Sequence, residues 1–167
     1  MFNSFKYLLI LLIIIPFPCQ SNTIFRKIDL KLNQEIIVND KKNIRKKVLD
    51  IFDFNSNYIV NFWATWCIPC KKELPDLKKI KINNKNVKVI IISIDKKPIK
   101  DQLNFLKKNQ VDELSNYFDE NMAFFKSLKL RGIPTTLLIK QQKVIAKKEG
   151  IFRYSKKSIE EINNFFN

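Results

Sequence analysis

The 167-residue sequence predicts an α/β protein, with a central mixed β-sheet flanked by helices and a pair of strands added at its N-terminal side. Three observations carry that expectation. The β-rich run "NYIVNFWA" leads straight into a helix start at "TWCIPC". The stretch "VKVIIISID", Val87 to Asp95, is almost continuously apolar, as a strand covered on both faces is. Strand-like and helix-like segments then alternate to the end of the chain.

Taken in order, residues 23–38, "TIFRKIDLKLNQEIIV", alternate apolar and polar positions and are expected to form the N-terminal strand pair. The segment "NDKKNIRKKVLDIF" after them reads as a short helix. The run from Asn57 is a strand, and "CKKELPDLKKIKI" places Leu74, Leu77 and Ile80 at helical spacing, with Pro75 inside the helix, where a kink is expected. Ile99, Leu103 and Leu106 mark a further helix after the Val87 strand, and Met122, Phe125 and Leu128 mark another. "IPTTLLIK" and "KVIAKKEG" are expected to be two strands joined at Gln141 and Gln142, and Ser155 or Ser158 caps a terminal helix. With only Gly132 and Gly150 available, turns fall to Asn, Asp and Pro.

Composition supports one folded domain: 46% of residues are hydrophobic and 14 are Phe, unlike a disordered chain. The formal charge of +15 would favour an anionic partner, but its lysines are spread along the whole chain among Asn and Ile rather than gathered into a patch. No aromatic-interleaved basic motif or zinc-finger spacing accompanies them, so specific nucleic-acid binding is not expected.

Residues 1–21 are expected to be a signal peptide or an N-terminal membrane anchor, and 22–167 the folded domain. The apolar run from Tyr7 to Pro18 follows Lys6 and is shorter than the ~20 residues of a comfortable membrane span, yet suits an export-signal core. Cleavage after Ser21, lipidation at Cys19 and retention as an anchor all stay open, although Pro16, Phe17 and Pro18 make a poor lipidation site. An exported, periplasmic or membrane-facing location is the expectation.

With Cys19 in the leader, the folded part keeps one cysteine pair, Cys67 and Cys70, too few for a disulfide-framework fold. A structural zinc needs four ligands, and the chain has no histidine and no second C-x-x-C. A static bridge across two residues removes little unfolded-state entropy. A redox pair is therefore the stronger reading. At the first turn of a helix, free N–H groups and the positive end of the dipole stabilise a thiolate, which makes Cys67 the expected nucleophile and Cys70 the resolving thiol. Cys70 must lose its proton, and Glu73, one helical turn on, is the expected acid–base group; partial burial would raise its pKa toward neutrality.

The block "VNFWATWCIPCKKELPDLKKI" resembles the exported TlpA/ResA-like thiol-disulfide oxidoreductases of thioredoxin-like fold, as do "VIIISID", ending in Asp95, and "LKLRGIPTTLLIK". The resemblance runs from about residue 23 to the end. It implies the same roles for Cys67, Cys70 and Glu73. Asn61 replaces the buried Asp that thioredoxin proper carries at that strand position, which places proton handling on the helix. It further implies that Pro134 is a cis-proline facing the two sulfurs and that Ile133 offers backbone hydrogen bonds to a substrate strand. Trp66 is expected as an exposed docking aromatic, with Phe62 and Trp63 in the core. The family's Asp-x-x-Gly turn is here "IKQQK", which leaves the geometry of that hairpin open.

The resulting expectation is a reductase of disulfide-containing proteins, with apocytochrome c among the candidate substrates, with no cofactor and with a membrane thiol reductant as electron donor. The direction of electron flow depends on a reduction potential that residues do not reveal. A peroxidase on the same fold would need a "PxxxTxxC" motif, which is absent. A binding module with an idle cysteine pair is the non-enzymatic alternative.

Overall fold

The computed structural model describes residues 23–167; the expected leader, Cys19 included, lies outside the described residues. One eight-stranded sheet runs through the domain. Its strands are β1 (Arg26–Lys31), β2 (Ile37–Asn39), β3 (Arg45–Lys47), β4 (Asn57–Trp63), β5 (Val87–Ser93), β6 (Ser115–Phe118), β7 (Thr135–Lys140) and β8 (Lys143–Glu149). They lie in the order β1-β8-β7-β4-β5-β6-β2-β3. β4 pairs parallel with β5 and antiparallel with β7, so the sheet is mixed, and β4 lies among the inner strands. The helices are α1 (Val48–Ile51), α2 (Ile68–Asn83), α3 (Ile99–Lys108), α4 (Ala123–Ser127) and α5 (Lys156–Phe166).

Alternation along β4 explains how the helices layer. Asn61 and Trp63 point to one face and Phe62 to the other. Trp63 stacks on Phe105 of α3, ring centroids 5.7 Å apart, and Asn61 meets Glu73 of α2. On the opposite face Phe62 packs edge-on against Phe124 and Phe125 of α4, and Tyr58 against Phe52 after α1. All of these rings except Phe105 are buried. Burying each is worth about 1.5–3 kcal/mol against exposure, and this aromatic sandwich fixes β4 between two helical layers.

Several expectations are corrected. The two N-terminal strands form but do not pair with each other: β1 joins β8 at one edge, while β2 joins β3 and β6 near the other. The segment expected as one short helix divides into β3 and the single-turn α1, because Arg45 to Lys47 pair with β2. β6 was not expected at all; "SNYF" is short and half polar, yet it pairs parallel with β5. α4 is shorter than its apolar stripe, since Met122 has φ +55° and Leu128 lies past its end. α2 runs unbroken through Pro75, burying Leu74, Leu77 and Ile80 as the spacing predicts.

The hairpin left open in the sequence closes on Gln141 and Gln142, with φ of +50° and +58°. Two consecutive left-handed residues make the tight turn that strand twist favours, at a cost for side chains other than Gly or Asn. Part of that cost is offset because Gln142 Nε2 donates to the carbonyls of Phe52 (2.8 Å) and Leu49 (3.3 Å). The last helix starts at Ser155 in a capping box: its hydroxyl accepts from Ser158 N–H, and Ser158 Oγ accepts from Ser155 N–H.

Candidate active site

β4 ends at Trp63, and four residues later the chain enters α2 at Cys67. Cys67 is the helix N-cap: its φ and ψ are extended, and its Sγ accepts the Cys70 N–H at 3.2 Å. That is the position usually held by a Ser or Asp oxygen. Pro69 sits in the first turn without an N–H to satisfy, and no acidic side chain lies there. Cys67 and Cys70 are joined as a disulfide. Cys70 is wholly buried and Cys67 4% exposed, whereas their neighbours Trp66 and Ile68 are 60% and 65% exposed. The less shielded cysteine thus has an exposed apolar residue on each side in sequence.

The loop before Cys67 is tied down from the end of β5. Asp95 Oδ2 accepts from Thr65 N–H (2.9 Å) and Thr65 Oγ1 (2.5 Å), and its Oδ1 from Lys97 N–H (3.0 Å). Burial pushes the Asp95 carboxyl up, but these hydrogen bonds outweigh it and hold the group below its ordinary value. The family resemblance had marked Asp95 only as the end of a strand; its clamp on Thr65 had no sequence signal.

Glu73, three residues after Cys70 on α2, is wholly buried. Its Oε2 accepts the Phe152 N–H at 2.9 Å, and its Oε1 accepts from Asn61 Nδ2 and from Thr136 Oγ1 (3.3 Å). Asn61 Nδ2 also donates to Thr136 Oγ1 at 3.0 Å, which leaves Asn61 Oδ1 buried without a donor. Burial pushes the Glu73 carboxyl up to about 7, against the opposing hydrogen bonds from Phe152, Thr136 and Asn61. Donors from β4, β7 and the segment between β8 and α5 therefore meet at one carboxyl. Asn61 was singled out from sequence as a replacement; Thr136, two residues past Pro134, and the Phe152 amide, distant in sequence, were not.

The Ile133–Pro134 peptide is cis, and Pro134 O accepts the Gly150 N–H at 2.9 Å, seating the segment at the start of β7 against the end of β8. Trp66 and Ile133 line one groove of about 880 Å³ beside the cysteine loop. The positions of Trp66, Phe62 and Trp63, one exposed and two buried, match those expected. Among the described residues no group of three or more His, Cys, Asp or Glu is placed to hold a metal ion, and no helix is long and apolar enough to cross a membrane.

A disulfide-linked cysteine pair at the N-terminus of a helix, a buried acid one turn further along that helix and a cis-proline opening the strand next to β4, on a mixed sheet of this order, together fit a thiol-disulfide oxidoreductase of thioredoxin-like fold. Residues 36–161 match the Redoxin family, and the chain belongs to that family, in its TlpA/ResA-like branch. It is 30% identical over 123 residues to thiol-disulfide oxidoreductase ResA of Bacillus thuringiensis subsp. konkukian, covering 71% of this chain and 69% of that one. A Chlorobium tepidum structure assigned as thiol:disulfide interchange protein DsbE superposes with a TM-score of 0.70 at 23% identity, over 85% of this chain and 100% of that one. StoA from Bacillus subtilis superposes with a TM-score of 0.61 at 20% identity, over 79% and 96%.

Proposed function

We propose that this thiol-disulfide oxidoreductase is a reductase of protein disulfides in an exported compartment, with Cys67 as nucleophile and Cys70 as resolving thiol. The observation that carries the assignment is the hydrogen bond from Cys70 N–H to Cys67 Sγ at the start of α2. A backbone donor and the positive end of a 16-residue helix act on that sulfur, so its thiolate is the better stabilised of the two.

In the forward cycle the Cys67 thiolate attacks one sulfur of a substrate disulfide, forming a mixed disulfide and expelling the substrate's other sulfur as a thiolate. Cys70 then gives up its proton, Glu73 accepting it, and attacks Cys67. The Cys67–Cys70 disulfide forms and the substrate leaves as a dithiol. Two electrons pass from enzyme to substrate, and a thiol reductant restores the pair; a membrane carrier fits a location outside the reducing cytosol. Trp66, Ile133 and Pro134 form the substrate-docking face; the exposure of Trp66 and the groove it shares with Ile133 support this, and Pro134, buried, follows Ile133 through a cis peptide. The apolar run at 7–18 supports export, and maturation of c-type cytochromes is the process such a reductase would serve.

Cys67→Ser and Cys70→Ser proteins, each produced in the exported fraction and resolved without reductant, test the assignment. Cys70→Ser is expected to accumulate covalent partners and Cys67→Ser to accumulate none. Trapping by Cys67→Ser alone would reverse the two roles, and trapping by neither would remove the redox reading.

A further inference from the structure

The groove beside Cys67 has a composition that selects its occupant. Its walls are apolar: Trp66, Ile94, Met122, Phe125 and Ile133 line it. Its charged positions are almost all cationic, with exposed Lys96 and Lys97 on the loop after β5 and exposed Arg131 just before the cis-proline segment. The one carboxylate in the lining, Asp95, is already committed to three donors, Thr65 N–H, Thr65 Oγ1 and Lys97 N–H. Glu149 lies within the field of Arg131 but is paired with Lys147 at 2.9 Å.

The cations stand on a fixed frame. Gln102 Nε2 donates to the carbonyls of Asp95 (3.3 Å) and Lys97 (2.6 Å), anchoring the turn that carries both lysines to α3. A side chain at Gly132 would meet nothing within 4 Å, so the backbone there is open. Trp66 adjoins Cys67 in sequence and Ile133 adjoins Pro134, so a chain whose disulfide reaches Cys67 lays its flanking residues along this groove.

We propose that Lys96, Lys97 and Arg131 make the enzyme selective for acid-flanked disulfides: a substrate segment that seats one apolar side chain between Trp66, Met122 and Phe125 and sets carboxylates against the three cations. The inference rests on the oxidoreductase reading of Cys67. Complementary charge at such a site acts mainly on the rate of encounter and the rejection of wrong partners, and weakens with salt.

The test uses the pre-reduced protein and three oxidised probes: a disulfide-bonded Cys-x-x-Cys peptide with one Leu and flanking aspartates, the same peptide with flanking lysines, and neutral hydroxyethyl disulfide. Second-order rates of exchange are followed by the appearance of the Cys67–Cys70 disulfide. The aspartate peptide is expected to react about tenfold or more faster than the lysine peptide at low ionic strength, the gap shrinking several-fold in about 0.5 M salt. The triple variant Lys96→Glu, Lys97→Glu, Arg131→Glu is expected to reverse the preference while its rate with hydroxyethyl disulfide stays within about twofold. Gly132→Phe, whose Cβ meets nothing within 4 Å and whose ring adds bulk at the groove, is expected to slow both peptides and spare the small disulfide. Equal peptide rates alongside normal reduction of hydroxyethyl disulfide would overturn the selectivity. No exchange with any probe would overturn the oxidoreductase reading beneath it.

Discussion

Asn61 Nδ2 on β4 and Glu73 Oε1 on α2 are hydrogen-bonded across a buried interface, 12 residues apart in sequence. The bond joins an inner strand to the helix that carries both cysteines. It also gives the Glu73 carboxyl a neutral neighbour where a second acid would have competed for the same proton.

Stability is expected to fall as pH rises through the Glu73 titration. Burial lifts this carboxyl from 4.5 to about 7, so between those values the native protein holds a proton that the unfolded chain has released. The contribution is fully present below about 4.5 and lost by about pH 7, a difference of order 3 kcal/mol. Glu73→Gln removes the titration, so urea unfolding of the oxidised protein at pH 5 and pH 8 should show a gain for the variant at pH 8 that shrinks or vanishes at pH 5. An equal effect at both pH values would contradict the raised pKa.

The same variant is expected to be slow in catalysis. Without a group to take the Cys70 proton, decay of the mixed disulfide should slow by about 10²-fold while its formation by Cys67 is little changed. Quenched-flow trapping of the two steps separates them; slowing of formation alone would place Glu73 elsewhere in the cycle.

Asn61→Asp sets a second carboxyl against Glu73. Two buried acids in contact do not ionise together, so one apparent pKa of the pair should move above about 7. The pH–rate profile for mixed-disulfide resolution is then expected to shift to the alkaline side, whereas Asn61→Ala should leave its midpoint nearer that of the natural sequence.

Asp95→Ala takes away the acceptor of Thr65 N–H and Oγ1. Leaving these buried donors unpaired costs about 1–3 kcal/mol each way the loop fails to compensate. Amide exchange at Thr65 and Trp66 should accelerate, while the Glu73 cluster keeps its protection; unchanged exchange would show that the loop is held by other contacts.

The hairpin offers a paired comparison. Gln141 has φ +50° and an exposed side chain, so Gln141→Gly is expected to stabilise by about 0.5–1 kcal/mol. Gln142→Gly relieves the same backbone conformation but loses two hydrogen bonds to Leu49 and Phe52, and should give no gain. Thermal unfolding of the two variants side by side checks the difference.

Those contrasts also show what was readable in the residues. The β4–α2 junction was legible because apolar alternation, a cysteine pair and a helix start coincide within a few positions, and Leu74, Leu77 and Ile80 keep a single period. β6 was not, since its four residues are defined by their partner β5 rather than by their own pattern. The pairing of β1 was equally hidden: alternation says that a strand has two faces, not which edge it joins. Within the site, Cys67, Cys70 and Glu73 lie on one helix and could be related by turn geometry. Thr136 and the Phe152 amide reach Glu73 only through the closed sheet, so no local spacing announces them.

The two outermost strands, Arg26–Lys31 and Arg45–Lys47, leave backbone groups without a neighbouring strand, the situation in which sheets recruit one another into aggregates. Here Arg26, Lys27 and Lys31, against the single acid Asp29, stand along one margin and Arg45, Lys46 and Lys47 along the other, all exposed. Two molecules approaching margin to margin would press cation against cation. The chain's scattered surplus of positive charge thus acts as a colloidal safeguard, and one that concentrated salt would weaken.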